Sequence, residues 1–184
     1  MTPRPRIAVY GSSTIAYDSP DYRLARELGA ALATAGADVM TGGYSGVMEA
    51  VSRGAAEGGG HVIGVTVEQF EKRGPVNAWV KERVHTPDLL ERLRVLTHSA
   101  DGFVVMSPSL GTLTEFHLTW TLLSTGARPP APLVVLNQDV KMYFDLLALA
   151  QWPDSAQERV PKFARTVAEA VHLVLADAAQ GSSL

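Results

Sequence analysis

The sequence predicts an α/β fold, one domain over residues 1–184 with helices packed on the faces of a mainly parallel sheet. Three observations predict it. Short apolar runs of strand length alternate with longer segments whose apolar residues recur at helical spacing. Two of those runs lead into turns that open a helix, Gly42-Gly43-Tyr44-Ser45-Gly46 and Ser107-Pro108-Ser109-Leu110-Gly111. The 184 residues, 46% hydrophobic and 19% charged, suffice for one buried core and suit a globular chain.

Taken in order, Ile7 to Tyr10 is an apolar run ending at Gly11 and reads as the first strand. Ser19-Pro20 is an N-cap followed by proline at the first helical position. Leu24, Leu28, Ala31, Leu32 and Ala35 then recur at helical spacing until Gly36 closes the helix. Asp38 to Thr41 is the second strand, and the glycine turn after it opens a helix from Val47 to Glu57, broken by Gly58-Gly59-Gly60. His61 to Val65 reads as a third strand. The segment from Glu68 to His85, with Gly74-Pro75 and several charges, has no clear period. It reads as a long loop, either at an active site or simply on the surface.

Beyond it, Asp88 to Ser99 is helical and Gly102 to Met106 is a buried strand. A helix from Thr112 to Leu123, a strand from Pro132 to Leu136, and helices around Met142 to Ala150 and Thr166 to Ala176 complete the chain. Strands joined by helices imply right-handed crossovers, with ligands at the carboxyl ends of the strands.

Composition narrows the chemistry. A net charge of -3 offers no general attraction to nucleic acid or acidic membranes. Without cysteine the chain has no disulfide, thiolate metal site or cysteine nucleophile. No apolar stretch approaches the ~20 residues of a spanning helix. Met1 to Arg6 lacks the apolar core of a signal peptide, so a cytoplasmic location is expected. The five histidines show no paired metal spacing, and no metal is expected. Trp79, Trp120 and Trp152 read as packing groups. No lysine lies in a glycine turn, which leaves a pyridoxal Schiff base without support, and no cofactor is expected.

Two turns can carry chemistry. In Gly42-Gly43-x-x-Gly46, glycines permit positive φ and close backbone approach, and the helix N-terminus behind them favours an anion such as phosphate. The same glycines equally suit a tight packing turn. The spacing is neither a dinucleotide fingerprint nor a P-loop. At Gly111-Thr112-Leu113-Thr114-Glu115, Thr112 can offer its hydroxyl to a phosphate while Glu115 projects one turn in. Thr112-x-x-Glu115 is also the pattern of a capping box, which spacing alone favours. Arg92 borders the apolar stripe of Leu89, Leu93 and Leu96. From there it either leans into a cleft or snorkels to solvent, with Arg94 on the other flank as its substitute. Gly11 and Ser12, at the end of the first strand, can cup a ligand or cap a turn.

Two segments resemble the Lonely Guy (LOG) family, also known as lysine decarboxylase-like. Gly42 through Val51 is similar to the family's first glycine motif and its helix. Ala100-Asp101-Gly102-Phe103 through Glu115 is similar to the strand and turn that carry PGGxGTxxE. The resemblance implies a Rossmann-like three-layer α/β/α sandwich, usually dimeric, that hydrolyses nucleoside 5′-monophosphates to free base and ribose 5-phosphate. It implies that Arg92 and Glu115 are catalytic. Gly11, Ser12, Gly42, Gly43, Gly46, Ser109, Gly111 and Thr112 would form the phosphate and substrate site. Two segments depart from the pattern: Ser107-Pro108-Ser109 replaces Pro-Gly-Gly, and Leu93 replaces the lysine after the motif arginine. Met48-Glu49-Ala50-Val51 also resembles the molybdenum-cofactor carrier proteins, a non-catalytic branch of the same fold. A nucleotide or cofactor carrier is therefore the alternative.

Overall fold

The computed structural model describes residues 3–72, 74–136 and 161–178. Its strands are β1 (Arg6–Tyr10), β2 (Asp38–Thr41), β3 (Val62–Val67), β4 (Glu82–Thr86), β5 (Gly102–Val105), β6 (Leu133–Leu136) and β7 (Lys162–Ala164). Its helices are α1 (Pro20–Thr34), α2 (Val47–Glu57), α3 (Glu68–Glu71), α4 (Leu89–His98), α5 (Leu110–Ser124) and α6 (Val167–Ala178). The strands form one seven-stranded sheet in the order β4-β3-β2-β1-β5-β6-β7, and every neighbouring pair is parallel. This is the expected Rossmann-like α/β sandwich.

Alternation along the central strand builds both cores. Ile7 and Val9 of β1 face one layer with Tyr22, Leu28, Val51 and Val174 of the helices. Ala8 and Tyr10 face the other layer with Leu96, Phe116 and Trp120. Both faces of β1 are covered from Ile7 to Tyr10, so that run is apolar throughout, as in parallel sheets generally. Each fully buried aliphatic side chain of this kind stabilises the fold by about 1.5–3 kcal/mol.

The helix ends follow their local signals. Ser19 caps α1 by accepting from the Tyr22 amide, with Pro20 at the first helical position. Gly36 follows at φ +85°, a conformation that costs glycine nothing.

Three expectations need correction. The Glu68 to His85 segment is not a bare loop. It holds the short α3 and the edge strand β4, which pairs with β3 from Ile63↔Glu82 to Val67↔Thr86. At the opposite edge β7 pairs with β6, where no strand was expected. Both edge strands expose polar residues, as edges usually do, and so lack the apolar run that marks the inner strands. The third correction concerns α5. Ser109 is its N-cap and accepts from the Thr112 amide at 3.4 Å, so the helix begins before Thr112 and the Thr112/Glu115 capping box does not form. The helix expected around Met142 to Ala150, like Trp152, lies outside the described residues.

The strand order reverses direction between β1 and β5, where a parallel sheet opens a crevice at its carboxyl end. There the Ser12 amide donates to the Ser107 carbonyl at 2.9 Å, and the Met106 amide to the Tyr10 carbonyl at 3.0 Å.

Candidate functional site

A cavity of about 650 Å³ opens at this carboxyl end. Gly11 and Ser13 after β1, Tyr44, Ser45, Met48 and Glu49 around the start of α2, the loop Gly74 to Trp79, Arg92, and the first turns of α5 all contribute to its wall. Of the expected residues, Gly11, Arg92, Ser109, Gly111, Thr112 and Glu115 are brought together there. Ser12, Gly42, Gly43 and Gly46 do not line it.

Those four residues are committed elsewhere. A Cβ on Gly42 would lie 1.9 Å from Arg92 Nη2, so this glycine makes room for the arginine. Gly43, at φ +81°, gives its amide to the buried Thr41 hydroxyl at 3.0 Å, and its carbonyl accepts from the Asn77 amide at 2.9 Å. Gly46, at φ +70°, packs so closely on Ser12 that a Cβ would meet the Ser12 carbonyl oxygen at 2.3 Å. That carbonyl also receives the Val47 amide, and the Ser12 hydroxyl bonds that of Thr14 at 2.9 Å. The turn therefore builds the floor beneath the cavity.

Arg92 is 4% exposed and leans into the cleft. Its Nε donates to the Val65 carbonyl at 2.9 Å, its Nη1 to Glu115 Oε1 at 3.2 Å, and its guanidinium faces the Phe70 ring at 5.4 Å. The snorkelling alternative fails because Leu93 and Leu96 draw that helical face inward and Val65 supplies a buried acceptor. Arg94 is no substitute. It is exposed and spent on Glu91, at 2.8 and 2.6 Å.

Glu115, with its side chain 12% exposed, carries the opposite charge. Burial pushes its carboxyl above the usual glutamate range, and Arg92 pulls it back. Beneath the pair, the Tyr10 hydroxyl meets that of Thr119 at 3.1 Å, and Thr119 donates to the Glu115 carbonyl at 2.8 Å. Burial holds the Tyr10 phenol far above its ordinary range, so it stays neutral.

The helices differ in what their first turns offer an anion. Asp21 stands in the first turn of α1, Glu49 in that of α2, Glu68 and Glu71 in α3, Glu91 in α4 and Glu169 in α6. Each places its own negative charge against the positive end of the dipole. Among the described helices α5 alone has no acidic residue there. Its first turn presents instead the Ser109 and Thr112 hydroxyls, 2.9 Å apart, and Gly111, whose missing Cβ would meet nothing nearer than 3.9 Å. Ser107 before it keeps a left-handed corner at φ +43°, held by its Oγ donating to Asp21 Oδ2 at 3.0 Å. The turn thus keeps its sharp shape although its motif glycines are replaced.

Sequence reasoning missed part of the wall. Tyr44, Met48, Glu49, Phe70, Asn77 and Trp79 all line it. Trp79, expected to be a packing group, is half-buried on the cavity wall. Its loop is clamped by Asn77, whose Nδ2 donates to the Tyr44 carbonyl at 3.0 Å and whose Oδ1 accepts from the Trp79 amide at 3.1 Å. The signal that could have found it was an aromatic residue in a Gly-Pro-bearing segment of unassigned purpose. Among the described residues no helix is long and apolar enough to cross a membrane.

A parallel sheet with a crevice at its reversal point, an acid-free N-terminus at α5 and a buried Arg/Glu pair define the class: a Rossmann-like α/β protein with a cavity at the carboxyl end of its sheet. The chain belongs to the SLOG cluster4 family, whose profile matches residues 4–141. It is 33% identical over 127 residues to the cytokinin riboside 5′-monophosphate phosphoribohydrolase LOG of Oryza sativa subsp. japonica, a match covering 67% of this chain and 52% of that protein. To the cytokinin riboside 5′-monophosphate phosphoribohydrolase of Mycobacterium tuberculosis it is 33% identical over 109 residues, 58% of each chain. The chain thus spans just over half the length of these curated relatives. Among solved structures, the molybdenum cofactor binding protein of Rippkaea orientalis superposes with a TM-score of 0.77 at 25% identity, covering 96% of this chain and 99% of that one. The molybdenum cofactor carrier protein of Chlamydomonas reinhardtii gives a TM-score of 0.70 at 25% identity, covering 99% and 100%.

Proposed function

We propose that the chain is a nucleoside 5′-monophosphate phosphoribohydrolase, and the observation that carries this reading is the buried Arg92–Glu115 pair beside the acid-free first turn of α5. The phosphate sits at Ser109, Gly111 and Thr112, where the helix dipole and two hydroxyls favour an anion. The ribose then lies toward Glu115. As the bond from C1′ to the base nitrogen breaks, its electron pair leaves with the base and positive charge develops on the ribose ring. The Glu115 carboxylate stabilises that charge and accepts hydrogen bonds from the ribose hydroxyls. Water adds to C1′ and its released proton neutralises the departing base, giving ribose 5-phosphate and free base. Arg92 opposes the burial that raises the Glu115 pKa, which favours the carboxylate, and it orients the nucleotide.

Free-base release from a panel of nucleoside monophosphates tests this reading. Release that depends on Glu115 is the expected result; no base from any nucleotide would overturn it.

The likeness to molybdenum-cofactor proteins across nearly the whole chain, together with Ser107-Pro108-Ser109, supports a second reading, a carrier that binds without turnover. Mass spectrometry of the ligand retained on purification separates the two, since an intact cofactor or nucleotide favours the carrier. In either reading the protein is cytoplasmic, and the hydrolase reading calls for no bound metal or cofactor. The chain is a homodimer or higher homo-oligomer in this proposal, with sedimentation velocity as its check.

A further inference from the structure

We propose that Glu49 sets the ligand's polarity in the crevice and selects a base edge with two adjacent hydrogen-bond donors, as in a 2-amino-4-oxopyrimidine. The inference rests on the nucleotide reading above and adds a specificity residue to it.

Glu49 lies half-buried on the cavity wall in the first turn of α2. A first-turn glutamate commonly serves only its own helix, so its surroundings decide the matter. The nearest cation along the helix, Arg53 one turn on, is engaged by other groups and makes no ion pair with it. Arg53 Nε donates to Glu57 Oε1 at 3.0 Å, and Nη1 donates to the Tyr17 hydroxyl. Among the described residues no cation forms an ion pair with Glu49. Its partner is the Tyr22 hydroxyl, which reaches Oε1 at 3.5 Å. Tyr22 in turn packs on Tyr17, with ring centroids 4.8 Å apart. One carboxylate oxygen is thus held loosely, and the charge has no ion-pair partner at the wall.

Two consequences follow. A phosphate is repelled from the α2 end and drawn to the α5 end, where no carboxylate occupies the first turn. The base then falls at the α2 end. Trp79 is on that side: its ring lies 5.7 Å from the Arg53 guanidinium, and it lines the same cavity as Met48 and Glu49. A base stacked on Trp79 turns an edge toward an acceptor-only carboxylate. Guanine presents N1–H and its 2-amino group side by side, a pattern that pairs with both carboxylate oxygens. Hypoxanthine keeps N1–H alone. Adenine presents an acceptor at N1, which the carboxylate repels. A pterin carries the same donor pair as guanine, so the two ligand sources share one recognition chemistry.

The test measures kcat/KM for guanosine, inosine and adenosine 5′-monophosphates with the wild-type chain and with Glu49→Ala and Glu49→Gln. Equilibrium binding of phosphorylated 6-hydroxymethylpterin to the same proteins distinguishes the second source. We expect the guanine nucleotide to exceed the adenine nucleotide by about 10–100-fold, the ratio that charge-assisted hydrogen bonds supply, with the inosine nucleotide between them. Glu49→Ala collapses that ratio toward one, and Glu49→Gln keeps part of it. Equal use of adenine and guanine nucleotides by the wild type, or a ratio that survives in Glu49→Ala, overturns the proposal while leaving the hydrolase reading intact. Glu49-dependent binding of the pterin phosphate without hydrolysis of any nucleotide supports the edge recognition and sinks the hydrolase reading instead. If neither nucleotides nor the pterin phosphate bind, both fail.

Discussion

The two glycine-bearing turns after β2 and β5 look alike in sequence and behave oppositely in the fold. At Gly42 to Gly46 each missing Cβ is a space already taken, by Arg92, by the Thr66 side chain or by the Ser12–Ser13 backbone. At Gly111 the missing Cβ leaves open space. One turn uses glycine to let the interior close; the other uses it to leave the cavity open. A glycine's meaning is therefore set by what its absent side chain would touch. The replacement of both motif glycines by Pro108 and Ser109 matters less than the pattern suggests, because Ser107 supplies the left-handed corner and Ser109 the cap.

The comparison can be broken by experiment. The largest effect is expected where both regions meet: Glu115→Gln should lower kcat by about 10²–10³-fold, as loss of a preorganised charge usually does, without a large change in melting temperature. A variant that hydrolyses at the wild-type rate would break the link between the α5 turn and chemistry. Next comes Gly46→Ala. It must hold φ +70° and push a methyl into the Ser12 carbonyl, so a loss of about 2–4 kcal/mol in a denaturant titration is expected.

The pH dependence is a smaller effect. Burial raises the Glu115 pKa in the folded chain, so the native state binds that proton more tightly than the unfolded one. Stability contributed by this group is present at low pH and falls as pH rises from the ordinary glutamate range through the raised value. Activity runs the other way, rising as the carboxylate forms. Both slopes should vanish in Glu115→Gln; a stability slope that persists there would assign it to another group.

The smallest effect sharpens the contrast most. Gly111→Ala should raise stability by about 0.5–1 kcal/mol, since alanine suits a helix better and nothing crowds it. It should weaken nucleotide binding at the same time. A fall in melting temperature like that of Gly46→Ala would erase the distinction between the turns.

Much of this is legible in the sequence. Ser19-Pro20 and Gly36 marked the ends of α1, the inner strands showed as apolar runs, and Arg92 stood out at the border of its helix stripe. The resemblance pointed to Arg92 and Glu115, which the fold brings to 3.2 Å. The Thr112/Glu115 spacing misled because Ser109, three residues earlier, satisfies the helix N-terminus and releases Glu115 to the cavity. The edge strands β4 and β7 were hidden because a strand with one neighbour needs no continuous apolar run.

The sequence by itself determined the parallel α/β plan, because periodic burial and helix capping are local properties written within a few residues of where they act. Only the tertiary structure decided which glycines face the cavity, that Arg92 lies against Gly42, and that Trp79 and Glu49 share one wall. Those facts arise between residues far apart in the chain. They depend on how helices settle on a sheet, which close packing settles in three dimensions and no local pattern records.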